Sequence, residues 1–355
     1  MLVRKITIKT YGNRPVSNER KEKIISKLQK KYREKNPVSI CLCMIVKNES
    51  KNMKRLLDSL KSIIDFVSIV DTGSSDNTEE IINSWCQENK IPFQIHHEPF
   101  KNFGYNRTHS FVKAKQSFPK ATYLLLSDAD FVWEIESDFD KNSLIKPCYH
   151  VLQYNTASKY WNIRLIDTRY NWECKGVTHE FWECKEIQYG YEKVSGLKIK
   201  DLADGGCKED KFQRDEKLLR DAIELNEEPS LLPRYTFYLA QTLRDQKKFD
   251  DAIYWYKERI KKQGWFEEVF YSYYQIGRCY EALGDIEKAK KYYLKAYAYN
   301  KKRSEPLFYL FNILMREKNF TEAKKYLEIG KTIKPPEDQI LFLESHCYEF
   351  FGFTI

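Results

Sequence analysis

A chain of 355 residues, 42% hydrophobic and 15% aromatic, has enough apolar surface for two domains with real cores and is not a disordered polypeptide. Its net charge of +9, from 60 Lys and Arg against 51 Asp and Glu, is modest, and no nucleic-acid recognition motif accompanies it, so no nucleic-acid partner is expected. Nine cysteines without a Cys-x-x-Cys pair, a start unlike a signal peptide and no run long enough to span a bilayer predict a soluble, cytoplasmic protein in a reducing compartment.

Residues 1–37 read as a basic extension. Met1 to Lys9 is strand-like, Ser17 to Arg33 has helical spacing, and Pro37 closes the segment. An α/β domain is predicted over 38–206. Val38 to Val46 is a β-rich apolar run, and Ser50 can cap the helix that follows. Met53, Leu56, Leu57, Leu60, Ile63 and Ile64 recur at helical spacing and predict one buried stripe. Phe66 to Val70 is a second strand. The turn cluster Asp71-Thr-Gly-Ser-Ser-Asp76 follows, and Asp76 with Glu79 fits a capping box. Phe93 to His97 predicts a third strand, with His96 and His97 as ordinary strand residues. Tyr105 to Phe118 predicts a helix closed by Pro119. Tyr123 to Leu126 is a short apolar strand that ends in Asp128-Ala129-Asp130. Strands alternating with helices imply a parallel sheet with right-handed crossovers. Beyond Asp130, Val151–Tyr154 and Trp161–Ile166 look like antiparallel strands, and an irregular aromatic stretch runs through Phe181 and Trp182.

After about Cys207 the pattern is helical: a linker over 207–232, then repeats over 233–355. Lys248-Phe-Asp-Asp-Ala252 matches Asp285-Ile-Glu-Lys-Ala289 and Asn319-Phe-Thr-Glu-Ala323, with steps of 37 and 34 residues between the alanines. Extra residues around Gly264-Trp265 account for the longer step. Gly277, Tyr280, Ala289, Tyr293 and Ala296 stand where tetratricopeptide repeats place small and aromatic residues. The tyrosines at 254–256, 271–274 and 292–293 read mostly as repeat core.

Three loops follow three predicted strands: Val46-Lys47-Asn48-Glu49, Asp71-Thr72-Gly73-Ser74, and Asp128-Ala129-Asp130. In a parallel sheet all three share one edge and make a nucleotide pocket. There Asp71 can accept hydrogen bonds from a ribose or base, and Gly73 permits a turn that other residues resist. Side chains at i and i+2 after a strand face one point, so Asp128 and Asp130 can hold Mn²⁺ or Mg²⁺ against a diphosphate. Cys174, His179 and Cys184 have the residue types of a zinc site, but no fourth ligand is near in the chain.

Leu42-Cys-Met-Ile-Val-Lys-Asn-Glu49, Ile69-Val-Asp-Thr-Gly-Ser-Ser-Asp-Asn-Thr78 and Asp128-Ala-Asp130 resemble the successive motifs of family 2 glycosyltransferases with the GT-A fold. Gly176-Val-Thr-His-Glu180 looks like the Val-His-Glu element of one branch, with Thr178 where Val is usual. The coupling to tetratricopeptide repeats resembles the bacterial subgroup that includes the sublancin S-glycosyltransferase. The implied fold class is an α/β, Rossmann-like GT-A nucleotide-sugar domain followed by an all-α tetratricopeptide-repeat domain. The implied activity is metal-dependent, inverting transfer of a hexosyl or N-acetylhexosaminyl group from a UDP-sugar donor. By the same resemblance Asp71 binds the nucleotide and Asp128 and Asp130 bind the metal, Asp130 being favoured as the direct ligand. Phe103-Gly-Tyr-Asn-Arg107 resembles the helix start near the donor, which places Arg107 in the pocket.

An attacking hydroxyl needs a carboxylate base. Glu180 is the first choice and Glu173 the alternative; His179 completes the metal site, contacts phosphate, or organises hydrogen bonds. Asp204-Gly-Gly206 reads as an active-site loop or as a hinge. The repeats are expected to hold a protein or glycan acceptor, or a second copy in a homodimer. The contrasting reading is an inactive transferase fold that serves as a repeat-based scaffold.

Overall fold

The computed structural model describes Lys27 and residues 37–355, apart from 156–158, 189, 191, 206–210, 338, 340 and 354–355. The strand and helix expected before Pro37 fall outside the described residues, Lys27 excepted. The chain divides into two compact units. One comprises 1–175 with 181–207; the other comprises 176–180 with 208–355.

The first unit is built on an eight-stranded mixed sheet, the GT-A-like arrangement expected. Its elements are β1 (Ile40–Val46), α1 (Ser50–Leu60), β2 (Phe66–Asp71), α2 (Thr78–Asn89), β3 (Phe93–His97), α3 (Phe103–Ser117), β4 (Tyr123–Leu126), β5 (Phe131–Ile135), β6 (Cys148–Tyr154), β7 (Lys159–Asp167) and β10 (Lys193–Asp201). A small antiparallel pair, β8 (Glu173–Lys175) with β9 (Phe181–Glu183), stands apart from the sheet. The strand order is β3-β2-β1-β4-β7-β6-β10-β5. β3, β2, β1 and β4 run parallel, whereas β7 is antiparallel to both β4 and β6. The chain steps outward from β1 to β3 and then returns to β4 on the other side of β1. That reversal makes the β1/β4 edge the topological switch point, where open α/β sheets bind ligands.

β1 and β4 are almost continuously apolar because both sheet faces are covered. Leu42 and Met44 join the core under α1, where Met53, Leu56, Leu57 and Leu60 form the expected stripe. Cys41 and Cys43 face the opposite core with Phe111 and Ala114 of α3. Among the described residues the eight cysteines are buried free thiols. Two capping expectations are corrected. The cap of α1 is Glu49, with Ser50 already inside the helix, and the cap of α2 is Asn77. Asp76 instead bridges the two loops, accepting from the amides of Ser50 and Thr78, while Glu79 pairs with His97. The Asp76 geometry satisfies both helix starts at once, which a lone capping box does not.

The second unit is all-helical: α4 (Lys211–Leu225), α5 (Leu232–Asp245), α6 (Phe249–Lys262), α7 (Phe266–Ala282), α8 (Ile286–Tyr299), α9 (Glu305–Arg316), α10 (Phe320–Gly330) and α11 (Ser345–Phe350). The three matching sequence segments start α6, α8 and α10, and their alanines 252, 289 and 323 are buried. Asp285 and Asn319 cap α8 and α10 through their side chains. Tyr256, Tyr274 and Tyr293 are fully buried, as expected of repeat core, whereas Tyr254 is 57% exposed. Among the described residues no helix is long and apolar enough to cross a membrane.

Candidate functional site

The register of the parallel strands sets the site. Val46 at the end of β1 pairs with Asp71 at the end of β2, and β4 flanks β1 on its other side. The loops after β1, β2 and β4 therefore open onto one edge of the first unit, as expected. Asp71 is buried, and its Oδ1 accepts the amides of Gly73 and Ser74, both at 2.7 Å. Gly73 has φ +111°, the conformation that requires glycine there. Asn48, at φ 56°, donates its amide to Ser74 Oγ and accepts the Ser75 amide, which locks the first loop to the second. The Glu49 amide donates to Thr78 Oγ1. Lys47 is exposed and Ala129 is buried at the base of the third loop.

The two aspartates have different surroundings. Asp128 Oδ1 accepts from Arg107 Nη2 at 2.5 Å and Oδ2 from Arg164 Nη1 at 3.3 Å. Arg164 also donates to Gln153 Oε1, stacks over Phe131, and Gln153 donates to Asp201. Loss of solvent opposes ionisation of Asp128, but the two guanidiniums outweigh it and hold its carboxyl below the usual carboxylate range. Asp130 instead lies, with Glu49, beside Gly205. A Cβ on Gly205 would stand 3.4 Å from Asp130 Oδ2 and 3.4 Å from Glu49 Oε1, so the two carboxylates and the loop after β10 meet at one point. Two hard oxygen donors converging beside a glycine backbone fit a divalent cation. Asp128 in this state is an arginine partner.

Asp204 is held by Arg55 through two hydrogen bonds of 2.9 and 2.7 Å, and its carbonyl accepts from Asn52, which also donates to Glu49 Oε2. Gly206 is outside the described residues. Arg164, Gln153, Arg55 and Asn52 were not singled out by the sequence. An arginine inside the apolar strand Trp161–Ile166 was the available signal, since a buried charge needs a partner.

Arg107 lies in the second turn of α3. Ser110 Oγ donates to its carbonyl and contacts Cys43 Sγ of β1 at 3.4 Å. Glu173 is in β8, with Oε1 2.7 Å from Lys175 Nζ. Glu180 and His179 group with the helical unit. The His179 ring stacks on Tyr238 at a centroid distance of 3.8 Å. Desolvation by that packing, with the nearby Arg234 and Lys211, pushes the imidazole down to about 3. Cys174 and Cys184 are buried and belong to the first unit, whereas His179 is grouped with the second. Among the described residues the one set of three with ligand atoms near enough for a metal is Glu344, His346 and Cys347, where Glu344 already accepts from Tyr274 and Tyr309.

No curated protein matches the chain significantly. Similar solved structures include a tetratricopeptide repeat protein from Parabacteroides merdae ATCC 43184, at 18% identity over 33% of this chain and 45% of that one, TM-score 0.30. Others are the MamA RS-1 ArsTM double mutant, at 15% identity over 34% and 64%, TM-score 0.30, and the Yersinia enterocolitica type III secretion translocator chaperone SycD, at 17% over 36% and 93%, TM-score 0.29. The chain thus spans under two thirds of the first two. Residues 270–303, which hold α7 and most of α8, match the tetratricopeptide repeat family model. Residues 41–191, the stretch that carries the three loops, match the family model described as glycosyl transferase family 2, so this part of the chain is similar to that family and the helical part to tetratricopeptide repeats.

Proposed function

We propose that the protein is a metal-dependent, inverting glycosyltransferase that uses a UDP-sugar, of the kind found in the sublancin subgroup, with a protein side chain as acceptor. The observation that supports this reading is the placing of Asp130 and Glu49 beside Gly205, with the Asp71 turn at the same strand-end edge, in a stretch that matches the family 2 glycosyltransferase model. Asp71 and the Asn48 loop receive the nucleoside. Asp130, with Glu49 beside it, would hold Mn²⁺ or Mg²⁺, which supplies neutralisation of the charge that develops on the departing diphosphate. Arg107 and Arg164 add fixed positive charge at the same edge and keep Asp128 ionised. Glu180 takes the proton from the acceptor hydroxyl or thiol as its oxygen or sulfur attacks the anomeric carbon. Glu173 is the weaker candidate for the base because Lys175 already engages its carboxylate.

A panel of nucleotide sugars with Mn²⁺ or Mg²⁺, scored for release of the nucleoside diphosphate, tests the activity. Release from UDP-sugars alone supports it. Failure of any donor to turn over, together with no binding of UDP and Mn²⁺ by calorimetry, restores the inactive scaffold. Mass spectrometry of candidate proteins after incubation tests the acceptor; sugar found only on free saccharides or lipids overturns that part.

A further inference from the structure

The connection from β8 to β9, Gly176–Glu180, is grouped by its packing with the helical unit rather than with the strands on either side of it. Its backbone departs from the ordinary at both ends. Gly176 has φ +102°, and a Cβ there would approach the Thr178 carbonyl oxygen to 3.4 Å. His179 has φ 52°, a left-handed conformation that residues with a Cβ adopt only at a cost. Such strain persists where neighbours over-determine it, and it collects at functional sites.

The neighbours are on α5. The Tyr238 ring lies parallel to the imidazole, within 8° and at 3.8 Å. Arg234 donates from Nε at 3.2 Å and from Nη2 at 2.7 Å to the His179 carbonyl oxygen, and its guanidinium lies over the Tyr238 ring at 4.9 Å. Thr178 is buried, and Val177 packs against the core of the helical unit. Ring, carbonyl and the two preceding side chains of the loop are therefore all held by one unit. The next residue is Glu180.

We propose that His179 is a positioning residue and not a cation ligand: its stack on Tyr238 and the Arg234 clamp on its carbonyl fix the strained loop that presents Glu180. The first repeat helix then sets the conformation of this loop. The role assigned to Glu180 rests on the function proposed above; the anchoring of the loop rests on geometry alone, so the two are tested by separate measurements.

Amide hydrogen exchange over 176–180 in the full-length chain tests the anchoring. Tyr238→Ala and Arg234→Ala are expected to speed exchange in this loop by about tenfold or more while leaving the α/β strands unchanged. Tyr238→Phe, which keeps the ring, stays at the wild-type rate. Unchanged exchange in both Ala variants overturns the proposal, whether or not a donor has been found. Kinetics with the donor from the nucleotide-sugar panel tests the role. His179→Ala and Tyr238→Ala are expected to lose kcat by up to about 10²-fold, with donor KM and Mn²⁺ affinity unchanged. His179→Phe restores most of the rate because it keeps the stack. A His179→Phe variant as slow as His179→Ala, or one that loses Mn²⁺ affinity, assigns the work to an imidazole nitrogen and overturns the proposal. A wild-type chain that turns over no donor defeats the function and leaves the exchange result to decide the anchoring.

Discussion

Arg107 Nη2 and Asp128 Oδ1 meet at 2.5 Å, which ties the second turn of α3 to the loop that leaves β4. Arg164 closes the other side of the same carboxylate. The pair is only partly screened, with side-chain exposures of 14% and 27%, so it contributes more than a surface ion pair. Arg107→Ala is expected to destabilise the first unit by about 1–3 kcal/mol at pH 7. The pH dependence has a fixed sign. The Asp128 pKa is depressed in the folded state, so its contribution is complete above the unfolded value of about 4 and is lost as pH falls through the folded one. The gap between wild type and Arg107→Ala should narrow below about pH 4. Urea unfolding at the two pH values checks this, and equal stabilities at pH 7 would reduce the pair to a surface contact.

The two aspartates should separate by phenotype. Asp130→Asn removes a charged oxygen donor beside Gly205 and leaves the arginine network intact, so turnover is expected to fall by at least about 10²-fold with little change in melting temperature. Asp128→Asn leaves two guanidiniums facing a neutral amide and is expected to cost about 1–3 kcal/mol of stability as well as activity. Nucleoside diphosphate release and thermal melts on the same preparations distinguish them. Normal turnover in Asp130→Asn would remove the cation from the mechanism.

Glu180→Gln keeps size and removes both the charge and the base. Donor affinity should hold while transfer slows by about 10²–10⁴-fold. Comparing donor binding by calorimetry with transfer rate reads the two apart, and an unaltered rate moves the base to Glu173 or elsewhere.

The parallel half of the sheet could be read from the chain because each strand is a short apolar run followed by a helix with one apolar stripe. The placement of Asp71, Asp128 and Asp130 came with it, since all three follow strand ends. The far half was harder. β10 alternates, with Val194, Leu197 and Ile199 inward, but Gly196 and a register shift between Lys193 and Lys198 break the period. β5 continues directly from the acidic turn and has only Phe131 and Trp133 buried. The surroundings of the acids were not legible at all. Arg164 reaches Asp128 only because β7 pairs antiparallel with β4, Leu165 opposite Leu125. The partners of His179 are Arg234 and Tyr238, on a helix the sequence places in a different domain. Local patterns fix strand ends; they do not fix which distant side chain lands beside them.

Gly277 of α7 shows how closely the repeat helices approach. A Cβ there would stand 2.7 Å from the Cδ1 and Cε1 atoms of Tyr293 in α8. That ring is fully buried and its hydroxyl donates to Glu281, so it has little freedom to retreat. Gly277→Ala is expected to destabilise the helical unit by about 1–3 kcal/mol through overpacking, even though alanine is the better helix former. Thermal melting by circular dichroism checks it; an unchanged or higher midpoint would show that the helices can separate without loss.

Gly205→Ala isolates the cation pocket. No positive φ obliges glycine at this position, so the substitution carries no backbone strain and stability should change by no more than about 0.5 kcal/mol. Its methyl group would stand in van der Waals contact with both Asp130 Oδ2 and Glu49 Oε1, the two oxygens that would hold the cation. Mn²⁺ affinity, read by electron paramagnetic resonance, should drop with the fold intact, and Glu49→Gln should weaken it in the same direction by removing charge in place of space. If both variants bind Mn²⁺ as the wild type does, the cation lies away from Glu49 and the loop after β10, and Asp130 must share it with another group.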